Sequence, residues 1–496
     1  MSKILNSLFA SLILIVVLAC SNDSSSEESK MDPVVTFTLT ASTDNIEFLN
    51  EESSYDITIT TNVDNWVISS SGASWIALSQ TSGSDGTTKV KITTTKNTDT
   101  SNRSATITIN ANNVAAVKIP VTQIGATVMI DEFNIPADMT GMSNTAVELA
   151  AKIDLGWNIG NTLEATGGET GWGNPKITKE LIDLVKQSGF NAIRIPVSWN
   201  QHLSNSSTLE IDRVWLDRVK EVIQYCVDND MYVLVNVHWD GGWLENNVTE
   251  AKKDEGNARQ KTFWEQIAIR FRDFDEHLLF ASANEPNVDD ATGMAVLMSY
   301  HQTFIDAVRS TGGKNAYRTL VVQGPSTDIE KTNNLMTTLP TDSVSNRIMV
   351  EVHYYTPYQF ALMTEDATWG KMFYYWGADF HSSTDTDRNA TWGEESDLEN
   401  YFELMKIQFI DKGIPVILGE FAAIRRTDLT GDNLQLHLDS RAYYLNYVVK
   451  EAKANGLLPF YWDAGGLGNN GSGLFDRSNN TVFDTQALTA LQEGLN

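Results

Sequence analysis

The sequence predicts an α/β protein: a (β/α)8 TIM barrel preceded by a small all-β, immunoglobulin-like sandwich. Three observations carry this reading. Residues 34–126 are rich in Thr, Ser, Val and Ile and repeat a strand-like alternation. Residues 135–496 alternate apolar runs of strand length with segments of helical period. Polar and aromatic residues follow nearly every one of those apolar runs, where a barrel collects its functional groups.

The 496 residues suffice for two to four domains. Acidic residues outnumber basic ones 64 to 36, for a net charge of −28. Nucleic-acid binding draws on clustered Lys and Arg, so that class is excluded. The balance suits a neutral ligand and a soluble, secreted protein.

Residues 1–20 read as a targeting segment. Lys3 is followed by an apolar stretch, 8–18, too short for an ordinary membrane span. It ends in Val17-Leu18-Ala19-Cys20, a small residue before a cysteine. This is similar to a bacterial lipoprotein signal, which implies lipidation of Cys20. The expected location is the outer membrane, exposed at the cell surface, with the periplasm as alternative. Membrane contact would run through the lipid anchor only. An ordinary secretory peptide with a chance cysteine is the other reading. Residues 21–33 are too polar to bury a core and read as a tether. With Cys20 lipidated, Cys226 has no disulfide partner. It sits at helical spacing and reads as a buried, inert thiol. The expected state is a monomer.

Within 34–126, alternation recurs at 55–60, 89–93, 105–109 and 117–121, with Ser82-Gly83 and Asp85-Gly86 as turn signals. Short, regularly spaced strands argue a sandwich. In 135–496, eight strand candidates stand at 153–157, 192–195, 232–237, 278–282, 319–322, 348–352, 416–418 and 458–461. Helix-period segments include 177–188, 215–228 and 263–274. Eight such units in sequence predict a barrel. A doubly wound open sheet would gather its functional groups at one switch point, and here they follow seven strands.

The informative residues are two glutamates 135 positions apart. Glu285 ends Phe280-Ala281-Ser282-Ala283-Asn284-Glu285, and Glu420 ends Val416-Ile417-Leu418-Gly419-Glu420. A carboxylate at the edge of a core is costly and requires a reason. Two facing one cleft can cleave a glycosidic bond, one as acid and one as nucleophile. Around them the strands end in Asn161, Arg194, His238-Trp239, Asn284, His353 with Tyr355, and Trp462-Asp463. Trp172, Trp243, Trp369, Trp376 and Trp392 fall in predicted loops, where aromatic faces suit sugar rings. The insertion 356–396 carries three of them and is expected to wall one side of the cleft. No metal or nucleotide motif stands out, and no cofactor is expected. Gly465-Gly466-Leu467-Gly468 lacks the dinucleotide spacing, and 428–433 lacks calcium-loop spacing.

Two resemblances attach to these residues. Asn65-Trp66, Ser74-Trp75-Ile76, Ser82-Gly83, 102–107 and 121–125 resemble the BACON module, which precedes many Bacteroidetes glycan-degrading enzymes. That name implies carbohydrate binding, but Trp66 and Trp75 fit a core pattern, so a spacer is expected. Residues 140–496 resemble glycoside hydrolase family 5. Gly156-Trp157-Asn158-Ile159-Gly160-Asn161, 169–175 and 189–199 are similar to its endo-β-1,4-glucanase subfamily. The resemblance implies a retaining enzyme acting on cellulose, xyloglucan or mixed-linkage glucan. It implies Glu285 as general acid, then base, and Glu420 as nucleophile. Asn284 would bond the sugar 2-hydroxyl, and Arg194 and Tyr355 would hold Glu420 ionised. His238 and His353 would touch the sugar or orient Glu285, and Trp462 would form a stacking floor. A cis peptide at Trp462–Asp463 is implied as well. Members often carry two adjacent histidines after strand three; here the second is Trp239. The chemistry requires Glu285 raised and protonated while Glu420 stays charged. The alternatives are a β-mannanase, a xylan-active relative, or a non-catalytic surface glycan-binding protein.

Overall fold

The computed structural model describes residues 36–99, 101–125, 133 and 135–496. Cys20, the targeting segment and the tether lie outside them. The chain divides into two compact units, 1–130 and 131–496. Among the described residues no helix is long and apolar enough to cross a membrane.

The first unit is a sandwich of a four-stranded and a five-stranded sheet. Strands Ser53–Thr61, Gly86–Thr94, Arg103–Asn110 and Val117–Gln123 form where the sequence alternates. Their inward residues (Ile57, Ile59, Val90, Ile92, Ile107, Ile109, Ile119 and Val121) build the core around Trp66. A Cβ at Gly83 would lie 2.4 Å from the Trp66 ring, so glycine is what lets that strand cross the indole. Trp66 Nε1 donates to the Ser84 carbonyl at 2.9 Å, and Arg103 covers Trp75 at 4.6 Å. Both tryptophans are buried core residues, as their pattern predicts.

The second unit is a closed barrel of eight parallel strands, each bonded to the next and the last to the first. The strands are Gly156–Ile159, Ala192–Ile195, Tyr232–Asn236, Leu278–Ala281, Leu320–Gln323, Ile348–Tyr354, Val416–Phe421 and Leu457–Asp463. Their outward residues, such as Ile193, Val235, Phe280 and Val350, meet the apolar faces of the surrounding helices. Side-chain oxygens of Thr178, Asp212, Asp290, Asp328 and Asp484 cap five of those helices and satisfy N–H groups the helix itself leaves bare. The third long helix, Lys253–Phe271, starts ten residues before the predicted 263. Its first half is polar and shows no apolar stripe, yet Gly256 and Gln260 are buried there.

The barrel interior explains where the chemistry sits. Ala192, Leu234, Ala281, Val321, Met349, Ile417 and Phe460 form an apolar layer, closed from below by Ala146, Leu149 and Ile153. Strand side chains alternate, so the same face reappears two residues on. That next layer reads Arg194, Asn236, Ala283, Gln323, Glu351, Gly419 and Trp462, with Asn158 completing it. The step from apolar floor to polar rim therefore occurs at one height around the barrel. Gly156 and Gly419 make it fit: a Cβ would lie 2.1 Å from Phe460 at the first and 2.1 Å from Glu351 at the second.

Candidate active site

Arg194 is the centre of the polar layer and is fully buried. Its Nη1 donates to Asn158 Oδ1 at 3.0 Å and to Glu420 Oε1 at 2.8 Å. Its Nη2 donates to Asn284 Oδ1 at 2.7 Å, and Nε lies 2.8 Å from Glu351 Oε1. A planar guanidinium can face four partners at once, which an ammonium cannot. Asn158 is itself fixed, because its amide donates to the Gly419 carbonyl at 2.8 Å.

Glu420 is held at both oxygens. Arg194 takes Oε1, and the Tyr355 hydroxyl donates to Oε2 at 2.8 Å. Glu285 stands opposite with a side chain 45% exposed, the most open carboxyl of the group. It meets His353 Nδ1 at 2.7 Å, and the other ring nitrogen of His353 lies 3.3 Å from Glu351 Oε1. One carboxyl oxygen of Glu285 and one of Glu420 lie within 4.8 Å of each other. Glu351 and His353 alternate with Met349 along strand six, so all three point into the barrel.

The charges follow from these contacts. Burial alone would lower the His353 imidazolium, but Glu420, Glu285 and Glu351 push it up to about 9. Burial also works to raise Glu285, yet the His353 hydrogen bond and charge, with Arg194, hold it below the usual carboxylate range. Burial outweighs His353 and Arg194 at Glu420 and, with Glu285 opposite, raises it. The order is thus the reverse of the expected one. Glu285 is low because its open carboxyl pairs with an imidazolium. His238 is buried and held well below its ordinary value, first by burial and then by Arg194 and His353, so it is neutral.

The remaining predicted residues are also on the rim. Asn284 spends its oxygen on Arg194, and its NH2 donates to Glu245. Trp462 stacks on His238 with ring centres 5.6 Å apart and planes 10° apart. Its peptide bond to Asp463 is trans, which corrects the cis expectation; among the described residues the cis bond is Thr356–Pro357. Strand eight stays in register with strand one through this point, Asn158 beside Trp462 and Ile159 beside Asp463. Trp239 is exposed on a left-handed backbone, φ 27°. Such strain in a bulky residue persists only where neighbours hold it. Asn161 also has positive φ, 60°; its N–H donates to Glu164 and its carbonyl accepts from Asn174 at 2.9 Å.

Of the loop tryptophans, Trp172, Trp369 and Trp392 are exposed. Trp376 is not available to a ligand. It is fully buried, donates to the Gly393 carbonyl at 2.7 Å and meets Tyr444 edge-on. Trp243 is half-buried and donates to Asp240 Oδ2 at 3.0 Å. Cys226 is buried and free, and burial pushes its thiol far up.

Four residues were missed from sequence. Glu351 is a lone acid in an apolar strand; the alternation Met349, Glu351, His353, Tyr355 is the signal that could have found it. Gln323 is the contribution of strand five, the one strand with no predicted functional residue. It accepts from Ala283 N at 2.8 Å and donates to Glu351 Oε2 at 2.5 Å. Glu245 is buried and accepts from the Glu285 backbone N–H at 3.0 Å; burial, with Glu285 beside it, pushes it up to about 7. Glu164, pushed up to about 7 by burial, ties the backbone at Asn161 and Thr162. Among the described residues, the grouping of side chains close enough to hold a metal ion is Glu285, His353 and Glu420. All three are already engaged in the charge network.

Stacking on His238 sets an expectation for Trp462→Ala. On a soluble glucan, the substrate class that the sequence resemblance implies, kcat/KM should fall by roughly tenfold or more, with kcat sharing the loss, because ring placement acts in the transition state. Steady-state kinetics check this, and an unchanged kcat would remove the positioning part of the role.

Known proteins resemble this chain in sequence and fold. Residues 158–468 match the cellulase family, glycosyl hydrolase family 5, and residues 64–123 match BACON, a putative N-terminal binding domain. A xyloglucan-specific endo-β-1,4-glucanase of Bacteroides ovatus is 39% identical over 448 residues, 87% of this chain and 86% of that protein. An endoglucanase A of Paenibacillus barcinonensis is 36% identical over 72% of this chain and 92% of its own length. The solved B. ovatus GH5 xyloglucanase with a XXXG heptasaccharide aligns at TM-score 0.68 and 37% identity, covering 93% of this chain and all of that one. A xyloglucan-specific β-1,4-glucanase from a ruminal metagenomic library, solved with XXLG, aligns at TM-score 0.66 and 41% identity over 71% of this chain and 96% of that one. With the matched family spanning residues 158–468 and such relatives along most of its length, the chain belongs to glycoside hydrolase family 5.

Proposed function

We propose that this protein is a retaining endo-β-1,4-glucanase that prefers xyloglucan, working through Glu285 and Glu420. The observation that carries it is the carboxyl pair, with oxygens within 4.8 Å of each other on one barrel rim. Retaining hydrolysis uses groups about 5–5.5 Å apart, and inversion needs about 6.5–9.5 Å to admit a water.

The residues divide the work. Glu420 attacks the anomeric carbon, aimed by Arg194 on one oxygen and Tyr355 on the other. Glu285 protonates the departing glycosidic oxygen. A glycosyl ester on Glu420 results, and water, deprotonated by Glu285, then cleaves it. Arg194 occupies the Asn284 oxygen and Glu245 one of its amide N–H groups, which leaves the second N–H as a donor to a sugar hydroxyl. Covering Glu285 with sugar removes the water that favours its charge. Glu420 already sits buried between its two donors. Substrate binding therefore moves the pair toward the order the chemistry needs.

The preference for xyloglucan rests on the relatives, among which are xyloglucan-specific enzymes at 39% and 41% identity. Others at 30–35% identity are described as broad-specificity endoglucanases. Initial rates on xyloglucan, barley β-glucan, carboxymethylcellulose, glucomannan and xylan test it. Xyloglucan should give the highest kcat/KM. A highest value on glucomannan or xylan would overturn the glucan assignment, and one on carboxymethylcellulose would overturn the preference only.

A further inference from the structure

Glu351 has no place in the reaction just described, yet it is the most deeply buried carboxylate in contact with Arg194 and His353. Its Oε1 lies 2.8 Å from Arg194 Nε and 3.3 Å from His353 Nε2, and its Oε2 accepts from Gln323 at 2.5 Å. His353 is therefore gripped between two carboxylates, Glu351 on Nε2 and Glu285 on Nδ1 at 2.7 Å. One of those carboxylates is sealed in the barrel and the other opens onto the cleft, 0% and 45% exposed at the side chain. Such an alignment is directional. A proton on Nδ1 has one acceptor in line, and the proton that stays on Nε2 has a fixed partner beneath it.

We propose that Glu351, His353 and Glu285 form a proton relay, in which His353 hands its Nδ1 proton to Glu285 when sugar covers that carboxyl. The inference rests on the assignment of Glu285 as the acid. In the handover, the Nδ1–H bond breaks and an O–H bond forms on Glu285. The imidazolium becomes a neutral imidazole whose remaining proton sits on Nε2, facing Glu351. Glu285 then gives its new proton to the glycosidic oxygen as that bond breaks. In the second half-reaction Glu285 takes a proton from the attacking water, and passing it to Nδ1 resets the imidazolium. Glu351 never touches substrate. It is a positioning residue that fixes which nitrogen keeps a proton, as the carboxylate behind a histidine base does in hydrolases.

The surrounding charges fit this direction. The charged and titratable groups around His353 are Glu285, Glu351, Glu420, Arg194 and the neutral His238. Three acids against one arginine keep the ring protonated, and His353 is pushed up to about 9. Losing water around Glu285 penalises the separated charges of the Glu285–His353 pair and favours its neutral form. Gln323 keeps Glu351 from turning away and ties it to the backbone of Ala283, two residues before the acid.

The test uses Glu351→Gln and two substrates. On xyloglucan, where the leaving group needs a proton, the rate should fall about 10²-fold. The alkaline limb of the kcat/KM profile should move to lower pH, because the amide no longer holds the imidazolium. On 2,4-dinitrophenyl β-cellobioside, whose leaving group needs no acid, the loss should be at least about tenfold smaller. Equal losses on both substrates would mean that Glu351 acts only through Arg194 and Glu420, and would overturn the relay. Nitrogen NMR of the parent protein needs no variant. His353 should carry both ring protons at neutral pH and only the Nε2 proton when a thio-linked cellotetraose fills the cleft. A ring with a bare Nδ1 in the free protein, or one still doubly protonated in the complex, overturns the proposal. The proposed function fails separately, if the parent protein cleaves no β-1,4-glucan.

Discussion

Glu420→Gln is expected to abolish polysaccharide hydrolysis, and Glu285→Gln to reduce it severely, both with the fold intact. Loss of a nucleophile in a comparable covalent mechanism costs on the order of 10⁴-fold or more. Loss of a general acid costs about 10²–10⁴-fold. The two part company on an activated aryl glycoside, whose leaving group departs without a proton. There Glu285→Gln should form the glycosyl-enzyme nearly as the parent does, while Glu420→Gln should not form it. Azide makes the roles visible in the product. With Glu285→Ala, azide enters the space of the acid and attacks the ester on Glu420, giving a β-glycosyl azide. With Glu420→Ala, azide attacks from the face the nucleophile used and gives an α-glycosyl azide. The opposite pairing of product and variant would exchange the assignments. Full activity in either variant would sink the two-carboxylate reading.

The barrel was legible because its signal is local. Each strand is an apolar run, and each run ends where the interior turns polar, so the eight segments stood out from their neighbours. The predicted ends fell short for the same reason. Strand six was read to Val352 and runs to Tyr354, strand seven to Leu418 and runs to Phe421, and strand eight to Tyr461 and runs to Asp463. In each case the missing residues include one that carries function: His353, Glu420 and Trp462. Pairing with the adjacent strand, which the sequence does not display, keeps them extended.

The site was legible where a polar residue stands at or just past the C-terminal end of a strand, as Glu285, Arg194 and His353 do, and where the family resemblance names its role. It was not legible one layer down. Gln323 and Glu351 are single polar residues inside apolar strands, and nothing nearby in sequence says they touch. Their bond joins positions 28 apart, and the Arg194–Glu420 bond joins positions 226 apart. The charge order was missed for a related reason. Burial and repulsion could be foreseen for two acids sharing a cleft, but not that an imidazolium would stand 2.7 Å from the more open one. Trp376 illustrates the converse error. A tryptophan between loop residues looked available to sugar, whereas Tyr443, Tyr444 and Tyr447 of one helix enclose it.

Arg194 carries the largest expected effect outside the two glutamates, on activity and on stability together. Arg194→Lys keeps the charge and loses the fork. An ammonium at that depth cannot reach Asn158, Glu420, Asn284 and Glu351 at once, so Glu420 and Asn284 lose their fixed aim. A fall in kcat of about 10²-fold is expected, the usual scale for a small displacement at a reacting centre. Arg194→Met goes further, leaving Glu351 and Glu420 buried beside an apolar chain. Breaking a buried pair in this way costs roughly 3–5 kcal/mol. The pH dependence of that cost identifies its source. Burial is the first influence on Glu351, which Arg194 and His353 overcome to hold it below the usual range. Without the guanidinium, burial dominates and the folded-state pKa rises above the unfolded one. A carboxyl raised in that sense contributes stability below its unfolded pKa and loses it as pH climbs through the folded value. The deficit of Arg194→Met relative to the parent should therefore shrink as pH is lowered from about 8 toward about 5. Thermal or urea unfolding across that range checks it. A deficit independent of pH would show that lost packing, and not stranded charge, is what the arginine prevents.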